Sequence, residues 1–142
     1  KKSGQNTKGL RLNMSSNLPR EVIELCYNHD AWIVGSAASP VAVISQVRDI
    51  DVIVPFYNWG QACMCIPEDA RVNTFGGWKY EVVSSDQEDT VMLDVWPGDI
   101  GWLMQNAKSR WGWHPRTDNR IIKYNDKDIT SFNHGFKYVS VQ

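Results

Sequence analysis

This chain has no long apolar run, little cysteine and almost no net charge, and each shortage closes off a class of protein. Nothing in its 142 residues approaches the roughly twenty consecutive apolar residues of a membrane-spanning helix. No secretory signal is visible, and the chain opens on Lys1-Lys2 rather than methionine, as a trimmed chain would. Its three cysteines, Cys26, Cys63 and Cys65, are an odd number, with no second ligand pair at zinc spacing beside Cys63-Met64-Cys65, which falls on a stretch that reads as helix. Reduced thiols in a soluble cytoplasmic protein are expected, rather than a disulfide framework or a zinc centre. Internal repeats and low-complexity stretches are also missing. His29, His114 and His134 have no visible partners and read as structural.

The net charge of −1 conceals a strong asymmetry. Residues 1–20 carry five bases and no acid, residues 21–107 three bases and thirteen acids, and residues 108–142 seven bases and three acids. Basic flanks suit a polyanion such as RNA, DNA or a triphosphate, and an acidic middle suits a cation. Residues 1–17 are polar and read as a flexible basic segment, and residues 18–142 as one domain.

What the acidic middle contains is more specific. In Arg48-Asp49-Ile50-Asp51-Val52-Ile53-Val54 two carboxylates alternate with apolar residues. On a strand, side chains at i and i+2 share a face with origins roughly 6.5 to 7 Å apart, so Asp49 and Asp51 can converge on a small cluster of ions while Ile50, Val52 and Val54 face a core. Left alone, the two acids repel; a cation relieves them. Hard oxygen donors favour magnesium or manganese over zinc. Upstream, the apolar run Ala31 to Val34 ends in Gly35-Ser36, and Ser39-Pro40 reads as the cap and first turn of a helix over Val41 to Gln46. Amides exposed at such a turn, with Gly35 admitting close approach, suit phosphate oxygens.

Gly-Ser, a helix, then Asp-x-Asp on a strand and a further Asp on a neighbouring strand is the pattern of the polymerase-beta-like nucleotidyltransferase superfamily. This chain resembles that pattern from about Ile33 to Val95, with Leu93-Asp94-Val95 at the third-acid position. The resemblance implies a metal-dependent enzyme that moves a nucleoside monophosphate from a nucleoside triphosphate such as ATP to an acceptor hydroxyl. Asp49, Asp51 and Asp94 would hold the ions and carry the catalysis. Gly35 and Ser36 would hold the β and γ phosphates, and Arg110, Arg116 and Lys123 would neutralise developing charge. The acceptor could be nucleic acid, protein or a small molecule. The alternatives are a catalytically silent nucleotide sensor of the same fold and a tryptophan-rich nucleic-acid-binding module. A sugar transferase sharing Asp-x-Asp is disfavoured by the short chain.

The coarse pattern is α/β (α+β), a small mixed sheet with flanking helices. Helices are expected over Arg20 to Asn28, Phe56 to Cys65 and Asp99 to Ala107. Beyond the strands already named, Arg71 to Thr74 and Arg120 to Tyr124 read as strands, with turns at Gly76-Gly77 and Asn125-Asp126. Trp78 to Val83 and Thr90 to Val95 read as a hairpin reversed through Ser84 to Asp89. Seven tryptophans, several in Trp111-Gly112-Trp113-His114-Pro115-Arg116, are expected to fill the core or its rim rather than to stack on bases.

Overall fold

The computed structural model describes residues 18–40, 42, 47–84, 89–106, 109–124, 128–133 and 136–140. The expected basic segment, the turn at Asn125-Asp126, His134 and all but Ala42 of the helix expected over Val41 to Gln46 lie outside these residues. In chain order the elements are α1 (Arg20–Asn28), β1 (Trp32–Val34), a 3-10 turn (Gly35–Ala38), β2 (Asp49–Val54) and α2 (Phe56–Cys63). There follow β3 (Arg71–Val72), β4 (Trp78–Val83), β5 (Thr90–Pro97), α3 (Ile100–Asn106), β6 (Trp111–His114), β7 (Asn119–Tyr124), β8 (Asp128–Asn133) and β9 (Phe136–Ser140).

The nine strands form one mixed sheet in the order β3-β4-β5-β2-β1-β6-β7-β8-β9. The sheet is larger than the small one expected, because the C-terminal third adds four strands as an antiparallel meander. Among the described residues β2 and β5 form the parallel pair, made possible by the long return through α2, β3 and β4. Other neighbours run antiparallel.

Alternation decides which face each residue occupies. Ile50, Val52 and Val54 are fully buried, as expected, on the face that also carries Ile33, Leu93, Val95 and Trp113 and packs against Val22, Leu25 and Cys26 of α1. Each such side chain removed from water stabilises by about 1.5–3 kcal/mol before entropy is counted. The opposite face carries two smaller apolar clusters, one where Val34, Ile53 and Trp96 are covered by Leu103 of α3 and one where Ile121 packs against Met104. Asp99 ends the linker to α3 by accepting the Trp102 amide at 2.8 Å.

Several boundaries differ from the sequence reading. The second helix stops at Cys63, leaving Met64 and Cys65 in the following turn, and β3 is only two residues long because the Asn73 side chain starts a turn. Among the described residues no helix is long and apolar enough to cross a membrane.

Candidate active site

The parallel register of β2 and β5 sets Asp51 directly beside Asp94. Directly paired residues share a face, and Asp49 lies on that face two residues from Asp51, so the three predicted carboxylates occupy one patch. The Gly35–Ala38 turn closes against it. Gly35 adopts φ +77°, in the left-handed region, and a β-carbon there would stand 3.1 Å from Oδ2 of Asp51. Glycine thus serves two needs at this position, the backbone conformation and the room beside the carboxylate. Ser36 follows within the same turn, and Ser39 closes it by donating its amide to the Ser36 carbonyl at 3.2 Å; the helix that Ser39 is expected to cap lies outside the described residues.

The row through Asp51 extends in both directions. Arg71, Lys79, Asp94, Asp51, Val34, Gly112 and Ile121 are paired in succession across seven strands. Two bases therefore stand on one side of the acids and the glycine-serine turn on the other. Lys79 Nζ lies 4.0 Å from Asp94 Oδ2, and Asn73 donates to Asp94 Oδ1 at 3.2 Å.

Burial pushes the Asp51 carboxyl up to about 6, and the negative charges of Asp94 and Asp49 add to the rise while Lys79 opposes it. The sign of the consequence follows from linkage. The unfolded group titrates near 3.8, so without metal the folded state pays a penalty that is absent below about pH 4 and complete above about pH 6. Asp51→Asn removes it. The metal-free variant should melt above the parent at pH 7.5, with the difference shrinking towards zero by pH 4. A pH-independent difference would contradict this reading.

Three residues that the sequence reading missed support the site. Asn73 is half-buried and accepts the amides of Phe75 at 2.9 Å and Gly77 at 2.8 Å while it holds Asp94. Lys79 supplies the nearest cation. Arg120, expected only as the start of a strand, is buried, donates to the Ala38 carbonyl at 2.9 Å and lies 4.1 Å over the Trp113 ring. It braces the glycine-serine turn from beneath. An Asn, a Lys and an Arg carry no sequence signature of these roles; the turn signal at Gly76-Gly77 is the one pointer to Asn73.

The bases expected to meet phosphate fare unequally. Arg110 is exposed, and its carbonyl accepts the Lys123 amide at 3.0 Å, beyond the Gly112–Ile121 and Trp111–Ile122 pairs towards the glycine-serine turn. Lys123 stands at that same end but is buried and engaged. Arg116 is elsewhere: it donates to Asp30 Oδ1 at 3.2 Å, at the opposite end of β1. There Asp30, at φ 60°, also meets His114 and the Tyr57 hydroxyl. Burial alone would raise the Asp30 carboxyl, but these hydrogen bonds hold it below the usual range. A cavity of about 260 Å³ adjoins Asp30, and none of the three carboxylates lines it. Most of the described tryptophans fill the core or its rim, as expected, with Trp113 1% and Trp96 6% exposed; Trp102 is the exception at 62%.

Whether the carboxylates suit a divalent ion is a matter of donors and placement. All three are hard oxygen donors on one face, and their mutual repulsion is written in the raised Asp51 titration. Among the described residues, however, no group of three or more His, Cys, Asp or Glu side chains is drawn together closely enough to hold an ion. Asp94 is instead engaged by Asn73 and Lys79. The acids fit in chemistry and in face, and Asp94 would exchange these partners to join a ligand set.

Compared with protein families, curated proteins and solved structures, the chain matches none.

Proposed function

We propose that this protein is a nucleotidyltransferase of the polymerase-beta-like kind, moving a nucleoside monophosphate from a nucleoside triphosphate to an acceptor hydroxyl. The observation that carries the reading is the side-by-side pairing of Asp51 with Asp94, with Asp49 on the same face and Gly35 against Asp51. The ordered pattern of residues and the geometry of the row support it together.

Asp49, Asp51 and Asp94 would hold magnesium or manganese. In that site the metal would supply charge that polarises the α phosphate and lowers the pKa of the acceptor hydroxyl. Gly35 and Ser36 would hold the β and γ phosphates at the turn that Arg120 braces, with exposed Arg110 at the same end available to their charge. Asp94, on the side away from that turn, would help to take the hydroxyl proton. The acceptor oxygen bonds to the α phosphorus, the bond to the bridging oxygen breaks, and pyrophosphate leaves with its electron pair.

The test begins with binding. Nucleoside triphosphate with magnesium or manganese should raise the melting temperature, and neither alone should do so as strongly. Incubation with labelled triphosphates and pools of RNA, DNA, protein and small hydroxyl compounds should then release pyrophosphate. Metal-dependent binding with no transfer to any pool would instead support the nucleotide-sensor reading.

A further inference from the structure

We infer that the hairpin of β3 and β4 is the acceptor-docking surface of this enzyme, and that it holds the end of a single-stranded nucleic acid. Arg71 meets a backbone phosphate and Phe75 stacks on a base near the reactive hydroxyl. The inference rests on the proposed transfer reaction and adds to it the class of acceptor and the residues that select it.

Direction comes from the order of the row. The glycine-serine turn follows β1, Asp51 is on β2, Asp94 on β5, Lys79 on β4 and Arg71 on β3. Attacking and leaving oxygens lie roughly in line on either side of the transferred phosphorus. With the leaving pyrophosphate held on the β1 side of the acids, the hydroxyl enters from the β5 side, over β4 and β3.

That side has its own chemistry. Residues 21–107 contain thirteen acids and only three bases, and two of the three, Arg71 and Lys79, stand here in adjacent register. Arg71 is exposed on a short edge strand, and the Lys79 side chain is 43% exposed. Between β3 and β4 Phe75 is 57% exposed, and its ring stacks on Trp96 at 4.9 Å with an interplanar angle of 28°. Trp96 shares a face with Asp94, two residues away.

The platform is also tied to the acids. Asn73 binds the Phe75 amide and Asp94 at once, and Gly77 lies so close to β5 that a β-carbon would come 1.8 Å from the Val95 carbonyl oxygen. An exposed aromatic ring beside a pair of bases, fixed relative to a catalytic carboxylate, matches how single strands are gripped: phosphates by cations, bases by rings. Lys79 already serves Asp94, but a neutral small acceptor would leave exposed Arg71 without a role, and a protein acceptor would not call for charge of this sign.

The experiment uses the full chain with Arg71→Ala, Phe75→Ala and Phe75→Trp, all at exposed positions. Transfer to single-stranded RNA and DNA oligonucleotides with free 3′ hydroxyls is followed at several salt concentrations, with nucleotide KM measured in parallel. Arg71→Ala and Phe75→Ala should each raise acceptor KM by about tenfold with kcat and nucleotide KM nearly unchanged, and Phe75→Trp should restore it. Arg71→Ala should also flatten the salt dependence by about 0.7 in the log–log slope, the share of one phosphate contact on a single strand. Transfer confined to protein or small hydroxyl compounds, or an oligonucleotide KM that neither alanine variant moves, would overturn the inference and leave the transferase reading standing. Loss of metal-dependent nucleotide binding in the parent would overturn both.

Discussion

Asp51→Asn should reduce nucleotidyl transfer by at least about a thousandfold while leaving the protein folded. Asp51 is the centre of the acidic patch, with Asp94 beside it in register and Asp49 two residues away. A thousandfold loss corresponds to about 4 kcal/mol of transition-state stabilisation, which is within what one essential ligand of a catalytic ion supplies. Asparagine keeps the shape of the side chain and removes the charge that burial and two neighbouring acids already disfavour. Stability without metal should therefore hold or rise, and the extra stabilisation on adding magnesium and nucleotide should shrink. Turnover and melting temperature measured on the same preparation check both halves. Near-normal turnover by the folded variant would remove Asp51 from the mechanism.

Gly35→Val should cost nucleotide affinity by tenfold or more, together with about 1–2 kcal/mol of stability from forcing a side chain into the left-handed region. From the sequence, valine is expected only to keep phosphates away from the backbone. The structure adds that the new β-carbon would press on Asp51 Oδ2 at 3.1 Å, so metal affinity should fall as well. Gly35→Ala should fall between valine and the parent. Calorimetric titration with manganese, and with nucleotide in its presence, separates the two losses. Parent-like nucleotide affinity in the valine variant would show that the phosphates bind elsewhere.

The legible parts of the site were those written in short-range pattern. Alternation around Asp49 and Asp51 gave the strand and its buried face, and the glycine after an apolar run gave the turn. Leu93-Asp94-Val95 gave a third acid on a hairpin arm, but not its partner: the pairing of Asp51 with Asp94 depends on β2 and β5 lying parallel although residues 55–89 separate them in the chain. Long-range polar contacts were equally hidden. Arg116 reads as available for phosphate, but Asp30, distant in sequence, lies beside it, and Arg120 reads as an ordinary strand residue although it holds the Ala38 carbonyl. The strands β6, β8 and β9 carry no assignment in the sequence reading: Gly112 and the Ser, Thr and Asn of Asp128–Asn133 weaken the local strand preference, and pairing with neighbours in the sheet overrides that weakness.

If this row of carboxylates transfers a nucleoside monophosphate, the fate of a label in the donor will show it. The parent protein and Asp51→Asn would be given magnesium, single-stranded oligonucleotide and nucleoside triphosphate labelled at either the α or the γ phosphate. Label from the α position should appear on the oligonucleotide and label from the γ position in pyrophosphate, with both signals lost in the variant. Label reaching the acceptor from the γ position, or equal α transfer by parent and variant, would contradict the account.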